Sequence, residues 1–189
     1  MTSQVPRHCK KNLPGFGVAM LLAALALAGC APGEAGDMSA DCVAGGLLRA
    51  DLYGDVEAAL DWHGAGLACE GMRRPREAGA RLRFAGRAGE RRLAFIVALP
   101  GLERGRAARE LPATVTLIEE DNGRFYSTAD NEHCWSDVDA QEALPGSAGE
   151  YRVSGILYCV SPLAEQAGNG RVTLGELRYT GRVDWRSPD

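Results

Sequence analysis

Residues 114–128 read TVTLIEEDNGRFYST and carry the clearest strand signal of the chain. Two runs rich in β-branched and aromatic residues, Thr114–Glu119 and Arg124–Thr128, flank the segment Asp121–Gly123. Such runs bounded by turn residues are typical of strands. Asn-Gly is the preferred pair for a two-residue type I′ turn. We therefore expect an antiparallel β-hairpin here.

Further strand patterns lie on both sides of this hairpin. The run Leu93–Leu99 is apolar throughout, which is typical of a strand buried on both faces. The apolar residues of Leu48–Trp62 also fit a helix, but Gly54 interrupts that helix and we prefer strand. Other predicted strands are Ala80–Phe84, Tyr151–Val160 and Arg171–Trp185, the last bent or broken near Gly181. Eight or nine strands in roughly 145 residues predict an all-β fold, an antiparallel β-sandwich or jelly roll.

The N-terminus has a different composition. Three basic residues come first, the stretch Leu13–Ala28 is apolar or small, and no acidic residue occurs before Glu34. A basic start, an apolar segment and a small-residue cleavage region are the parts of a secretory signal. The dense apolar part is too short for a membrane span, which needs about 20 apolar residues. We predict a signal helix in residues 1–29 that is removed on export.

The end of this segment carries a resemblance. Leu27-Ala28-Gly29-Cys30 resembles the lipobox of bacterial lipoproteins at all four positions. The resemblance implies that Cys30 is lipidated, palmitate included, and becomes the first residue of the mature chain; two or more acyl chains anchor a protein stably. Within this class Ala31 implies the periplasmic face of the outer membrane, in the cell envelope. The alternative is a soluble secretory signal in which the cysteine is incidental.

The rest of the chain divides into a tether and one domain. Residues 30–41 hold the lipidated cysteine and a flexible segment with a typical span of about 18 Å, and residues 42–189 form the β domain. Its four cysteines are Cys42, Cys69, Cys134 and Cys159. An even number in an exported chain predicts two disulfides. Three pairings are open, and the short loops favour Cys42–Cys69 with Cys134–Cys159.

Charge is unevenly distributed. The signal carries three basic residues and no acidic one, so its loss changes the formal net charge from −4 to −7. Residues 73–109 hold 11 arginines and three acids. Guanidinium groups bind phosphate through bidentate contacts, so a weak anion site for lipid headgroups or lipopolysaccharide is predicted at Arg81, Arg83, Arg91 and Arg92. The preferred alternative is that these arginines pair with acids elsewhere. An acidic exported chain argues against nucleic acid as a partner.

Two groups of residues suit metal binding or catalysis. The carboxylates of Asp130, Glu132, Asp137 and Asp139 suit Ca²⁺, but the EF-hand glycine is missing and we prefer a solvated acidic loop pinned by a disulfide.

His63 and His133 are the histidines that remain after export, and a triad with Ser154 or Ser161 is formally possible. No Gly-x-Ser-x-Gly pattern supports it. We predict no catalytic residue, no metal and no cofactor, and lean against an enzyme.

The aromatic residues have two interpretations. If these side chains are exposed and coplanar, they would stack on sugar rings. We prefer the alternative that they pack in the core, with Trp135 packed beside Cys134 as in other sandwiches. The residues in question are Trp62, Trp135, Trp185, Tyr53, Tyr126 and Tyr179.

The sequence predicts a membrane-anchored envelope lipoprotein of unknown activity, a non-enzymatic binding or structural module. Its partners would be the membrane through the lipid, and an envelope protein, glycan or lipopolysaccharide. The alternative is a β-sandwich domain that binds or hydrolyses envelope polysaccharide. Residues 131–135 and 158–163 resemble features of an uncharacterised proteobacterial lipoprotein group, which implies no mechanism.

Overall fold

Short strands joined by tight turns make up nearly all of the domain. The computed structural model describes residues 42–75, 77–130 and 132–186. Within these ranges it contains twelve strands and one 3₁₀ turn, Gly64–Gly66. The strands are β1 Leu47–Gly54, β2 Ala58–His63, β3 Leu67–Arg73, β4 Ala80–Ala88, β5 Arg91–Leu99, β6 Ala108–Glu119, β7 Arg124–Ser127, β8 Cys134–Ala143, β9 Glu150–Cys159, β10 Leu163–Glu165, β11 Arg171–Leu174 and β12 Leu177–Asp184. The all-β fold class is confirmed.

The strands form one sheet that closes on itself. Their order is β2-β1-β11-β10-β7-β6-β5-β4-β3-β12-β9-β8, and two further pairings, β1–β12 and β6–β8, join separated parts of that order. Strand β6 pairs with β8 through its first half and with β5 and β7 through its second half. All pairings are antiparallel except one contact between β12 and β3, at Asp184 and Met72. The count exceeds the predicted eight or nine.

The core lies on the inner face of this sheet, and large side chains from different strands meet in it. Trp62 of β2 contacts Phe95 of β5 edge-on, with 6.1 Å between ring centroids. Phe84 of β4 packs on Tyr179 of β12 at 5.9 Å. Alternation along each strand supplies the inner face, as in Leu93, Phe95, Val97 and Leu99, all of which are buried.

The hairpin of residues 114–128 forms, but its turn is not type I′. Glu119 pairs with Arg124, so four residues connect the strands. A type I′ turn needs positive φ at both central residues, whereas here Gly123 has φ +69° and Asn122 does not. The Asn122 side chain donates to the Glu119 carboxylate and accepts from the Arg124 backbone N–H. These bonds favour the longer turn.

Three strand predictions need correction. The C-terminal break falls between Leu174 and Leu177, and Gly181 lies inside β12, where a Cβ would be 2.8 Å from the Phe84 ring. The outer face of β5 is buried at Ala94 but only partly buried at Ile96 and Ala98, so burial on both faces holds for only part of this strand. The predicted acidic loop is also wrong in its second half, because Asp137 and Asp139 belong to strand β8.

Two disulfides join the pairs that the short loops favour. Cys134 and Cys159 lie directly opposite each other on β8 and β9. Cys42 joins the segment before β1 to Cys69 in β3. Cys30, the tether and the signal lie outside the described residues. No helix within the described ranges is long and apolar enough to cross a membrane.

Candidate functional site

A partly exposed row of apolar side chains crosses the outer face of β6, β8 and β9. The register places Pro112 opposite Trp135, and Trp135 opposite Tyr158. The Trp135 and Tyr158 rings stack with centroids 6.0 Å apart and planes inclined by 28°. Ile156 lies two residues before Tyr158 on the same face of β9. Val160 directly follows β9, and its backbone N–H donates to the His133 carbonyl at 2.9 Å. We call Pro112, Trp135, Ile156, Tyr158 and Val160 the aromatic strip.

Part of the strip is exposed. Tyr158 is 39% exposed and Val160 69%, whereas Trp135 and Ile156 are partly buried. The other large apolar side chains that are exposed lie on other strands; they are Tyr53, Met72 and Phe125. Contiguous exposed apolar surface on a folded domain marks a site of interaction more often than scattered single residues do. This feature, rather than a cavity, distinguishes the site.

Alternation along β8 and β9 produces the strip. Cys134, Ser136 and Val138 of β8 point inward and are buried, so the intervening Trp135 points outward. The disulfide between Cys134 and Cys159 fixes the pairing register. A one-residue slip would exchange the two faces of a strand, and the disulfide opposes that slip.

A buried hydrogen-bond pair supports the strip from below. Ser136 Oγ lies 2.9 Å from Tyr179 Oη and donates to the carbonyl of Ile156 at 3.0 Å. Burial raises the pKa of Tyr179, so this phenol stays neutral. Gly155 allows the close approach, because a Cβ there would lie 2.3 Å from the carbonyl oxygen of Asp137 and 2.8 Å from Tyr179 Oη. These contacts tie β8 and β9 to β12.

A carboxylate and a strained bulge border one end of the strip. Asp137, two residues after Trp135, accepts the backbone N–H of Glu110 at 2.8 Å and lies 3.2 Å from the Arg109 guanidinium. These bonds hold the pKa of Asp137 below its usual value, with the Glu110 N–H as the largest cause. Glu110 has φ +47°, a conformation that costs a non-glycine residue energy. Arg109 also pairs with Asp139 at 3.1 Å.

Acidic residues border the other end as well. Asp130 and Glu132 lie in the turn before β8, where the Asp130 carboxylate accepts the Glu132 backbone N–H at 2.8 Å. His133 Nε2 lies 3.7 Å from Asp130. Both ends of the strip therefore carry negative charge.

Comparison of the chain with protein-family models, curated proteins and solved structures finds no match. The site is therefore interpreted from its own chemistry.

The candidate calcium ligands do not converge. Asp130 and Glu132 lie before β8, while Asp137 and Asp139 bind Arg109 further along the strand. Among the described residues no group of three or more potential ligands could hold a metal ion.

The candidate triad does not assemble either. His63 lies 3.5 Å from Asp61, and His133 lies beside Asp130. In the part of the chain that is described, neither histidine is hydrogen-bonded to Ser154 or Ser161.

The candidate anion-binding arginines are partly neutralised by pairing. Arg83 pairs with Glu120 at 2.5 Å, and Arg92 with Asp121 at 2.8 Å. Arg81 lies near the start of β4, and Arg91 at the start of β5. The register places Arg81 and Arg91 at opposite ends of the β4–β5 hairpin, so the four arginines are spread along it.

The aromatic residues separate into two groups. Trp62, Tyr126 and Tyr179 are buried, as expected for core residues. Tyr53 is 55% exposed, and Trp135 faces outward rather than packing beside Cys134 in the core. Trp185 is partly buried and packs against the core. Tyr158, which stacks on Trp135, was not among the aromatic residues singled out from the sequence.

A second polar cluster lies at one end of the sheet. The Arg124 guanidinium donates to Glu165 at 2.7 Å and lies 3.6 Å from Glu119. The Tyr126 hydroxyl donates to Glu119 at 3.2 Å. Burial, with the Glu119 carboxylate, raises the pKa of Tyr126 to about 12. Arg124 also approaches Asp55 at 3.8 Å. The cluster joins β6, β7 and β10 to the turn between β1 and β2.

A cavity of about 160 Å³ opens beside the segment that leads into β1. Its lining includes Arg152, Ser154, Thr180 and Glu142. The Arg152 guanidinium donates to the Ala44 carbonyl and lies 3.9 Å from Glu142. Arg152 is thus used to hold the segment before β1 in place.

Proposed function

We propose that the chain is a membrane-anchored envelope lipoprotein whose β domain is a binding module, and that the aromatic strip is its binding surface. The anchor is supported by the lipobox resemblance at Leu27–Cys30. The observation that carries the binding proposal is the stack of the partly buried Trp135 on the 39% exposed Tyr158, continued by the 69% exposed Val160. Aromatic side chains concentrate in the cores of protein interfaces.

The chemistry of the strip suits recognition. Its rings and aliphatic side chains offer apolar area, and the strip lies on paired strands whose register a disulfide fixes. Binding to a rigid surface costs little ordering entropy. The bordering ion pairs can stay intact while the strip is covered.

One experiment tests the anchor. Cells that express the full chain are labelled with palmitate, and label on the wild-type chain that is absent from Cys30→Ser supports the proposal. Label that persists in Cys30→Ser contradicts it.

A second experiment tests the surface. A photo-crosslinking amino acid replaces Val160 in the full chain, and a matched chain carries it at Tyr53, an exposed aromatic on β1. We expect a discrete adduct from position 160 in intact cells, lost when Trp135→Thr is added, and no such adduct from position 53. Equal adducts from both positions, or none from position 160, would contradict the proposal.

A further inference from the structure

We propose that the partner of the aromatic strip is a basic protein segment, one that offers aliphatic side chains together with Arg or Lys. This inference rests on the proposed binding function and names the chemistry of the partner. Its basis is that partly exposed rings lie beside a group of carboxylates that outnumbers the basic side chains around it.

The charge around the strip is strongly negative. In the described part of the chain, five carboxylates lie within five residues of Pro112 or Trp135 along the sequence, against one guanidinium, that of Arg109; they are Glu110, Asp130, Glu132, Asp137 and Asp139. Arg109 is engaged by Asp137 and Asp139 together. Such a field attracts cations and repels phosphate-bearing ligands such as lipopolysaccharide.

The rings and the carboxylates suit the same cation. Arg and Lys lie favourably over the faces of Trp and Tyr, and a carboxylate beside the ring stabilises the same charge. Asp137 and His133 are each two residues from Trp135 on the outer face of the sheet, which corresponds to about 7 Å along a strand. An Arg or Lys side chain seated on the Trp135–Tyr158 stack therefore has the Asp137 carboxylate at one end. At the other end lies His133, whose Nε2 is 3.7 Å from the Asp130 carboxylate.

The aliphatic part of the strip favours a polypeptide over an amino sugar. Pro112, Ile156 and Val160 extend the surface beyond the rings across three strands. A protein segment supplies apolar and basic side chains at once, whereas an amino sugar supplies the cation with little apolar area.

Titration of the full chain in detergent tests the inference. The probes are a nonapeptide of three Arg-Leu-Lys repeats, its counterpart with Glu in place of each basic residue, and a neutral oligosaccharide of N-acetylhexosamines. We expect the basic peptide to bind and the acidic one not to. Trp135→Thr should weaken binding by about thirtyfold, and Glu110→Gln with Asp130→Asn by about five- to twentyfold together. Raising the salt concentration should weaken binding.

A matched variant separates the strip from the general acidity of the chain. Asp51 and Tyr53 are exposed on β1, an aromatic and a carboxylate two residues apart, like Trp135 and Asp137. Asp51→Asn with Tyr53→Thr should leave binding unchanged. Equal weakening by this pair would overturn the inference.

Trp135-dependent binding of the oligosaccharide, with no effect of Glu110→Gln and Asp130→Asn, would overturn the basic partner and leave the binding function standing. Failure of all three probes together with no adduct from position 160 would overturn both.

Discussion

Removing one buried hydroxyl should measure how firmly the strip is supported. Tyr179→Phe deletes the bond to Ser136, a contact of 2.9 Å between two buried residues. Ser136 keeps its bond to the Ile156 carbonyl at 3.0 Å. A net loss of one buried hydrogen bond costs about 1 kcal/mol. Ser136→Ala should cost more, about 2 kcal/mol, because it leaves the Tyr179 hydroxyl and the Ile156 carbonyl each short of a partner.

Urea unfolding of the full chain, followed by tryptophan fluorescence, measures both effects. Since the two residues form one bond, the double variant should be about 0.5–1.5 kcal/mol less destabilised than the sum of the single variants. The control is Thr180→Val on the outer face of β12, with little expected change. Additivity of Tyr179→Phe and Ser136→Ala would refute the claim that this bond joins β8 to β12.

Three further perturbations test other parts of the domain. Hydrogen bonds from Arg124 and from the Gly170 backbone N–H lower the pKa of Glu165 below 4.5. The stability that these bonds contribute is therefore full above about pH 4.5 and is lost as the pH falls through the lower pKa of the folded state. The urea midpoint of Glu165→Gln should therefore fall less steeply in acid than that of the wild type. Tyr126 has a folded pKa of about 12 against 10 when free, so stability should decline as the pH rises from 10 to 12, and less steeply in Tyr126→Phe; equal slopes would refute the buried position of its hydroxyl. Gly181→Ala places a Cβ 2.8 Å from the Phe84 ring and should cost about 1–3 kcal/mol by thermal unfolding, partly restored by Phe84→Leu; an unchanged melting temperature would refute the close packing of β12 on β4.

Much of the fold can be predicted because several single strands show a clear alternation of apolar and polar residues. Ala80–Phe84 and Tyr151–Val160 alternate clearly, and both regions are strands. Strand β8 was missed because its inner positions include the polar Ser136, which is buried only through its bonds to Ile156 and Tyr179. The break before β12 was misplaced because Gly181 is there for packing against Phe84, not for a bend.

The candidate site is harder to predict because it depends on register between distant segments. Trp135 and Tyr158 meet only once β8 and β9 pair, and Pro112 joins them from a third strand. The acidic residues of 130–139 were visible in the sequence, but their placement around exposed rings was not. Cysteine spacing did give the pairing that fixes this register, because each short loop closes within one half of the chain.

Hydroxyl-radical footprinting tests the binding surface most directly, since it needs no substitution. The chain is oxidised in intact cell envelopes and again after purification in detergent, and the rate at each aromatic residue is compared. A covered strip predicts that Trp135 and Tyr158 are protected severalfold in the envelope, while the exposed Tyr53 reacts equally in both states. Equal rates at Trp135 and Tyr158 in the two states would contradict the proposal that a partner binds there.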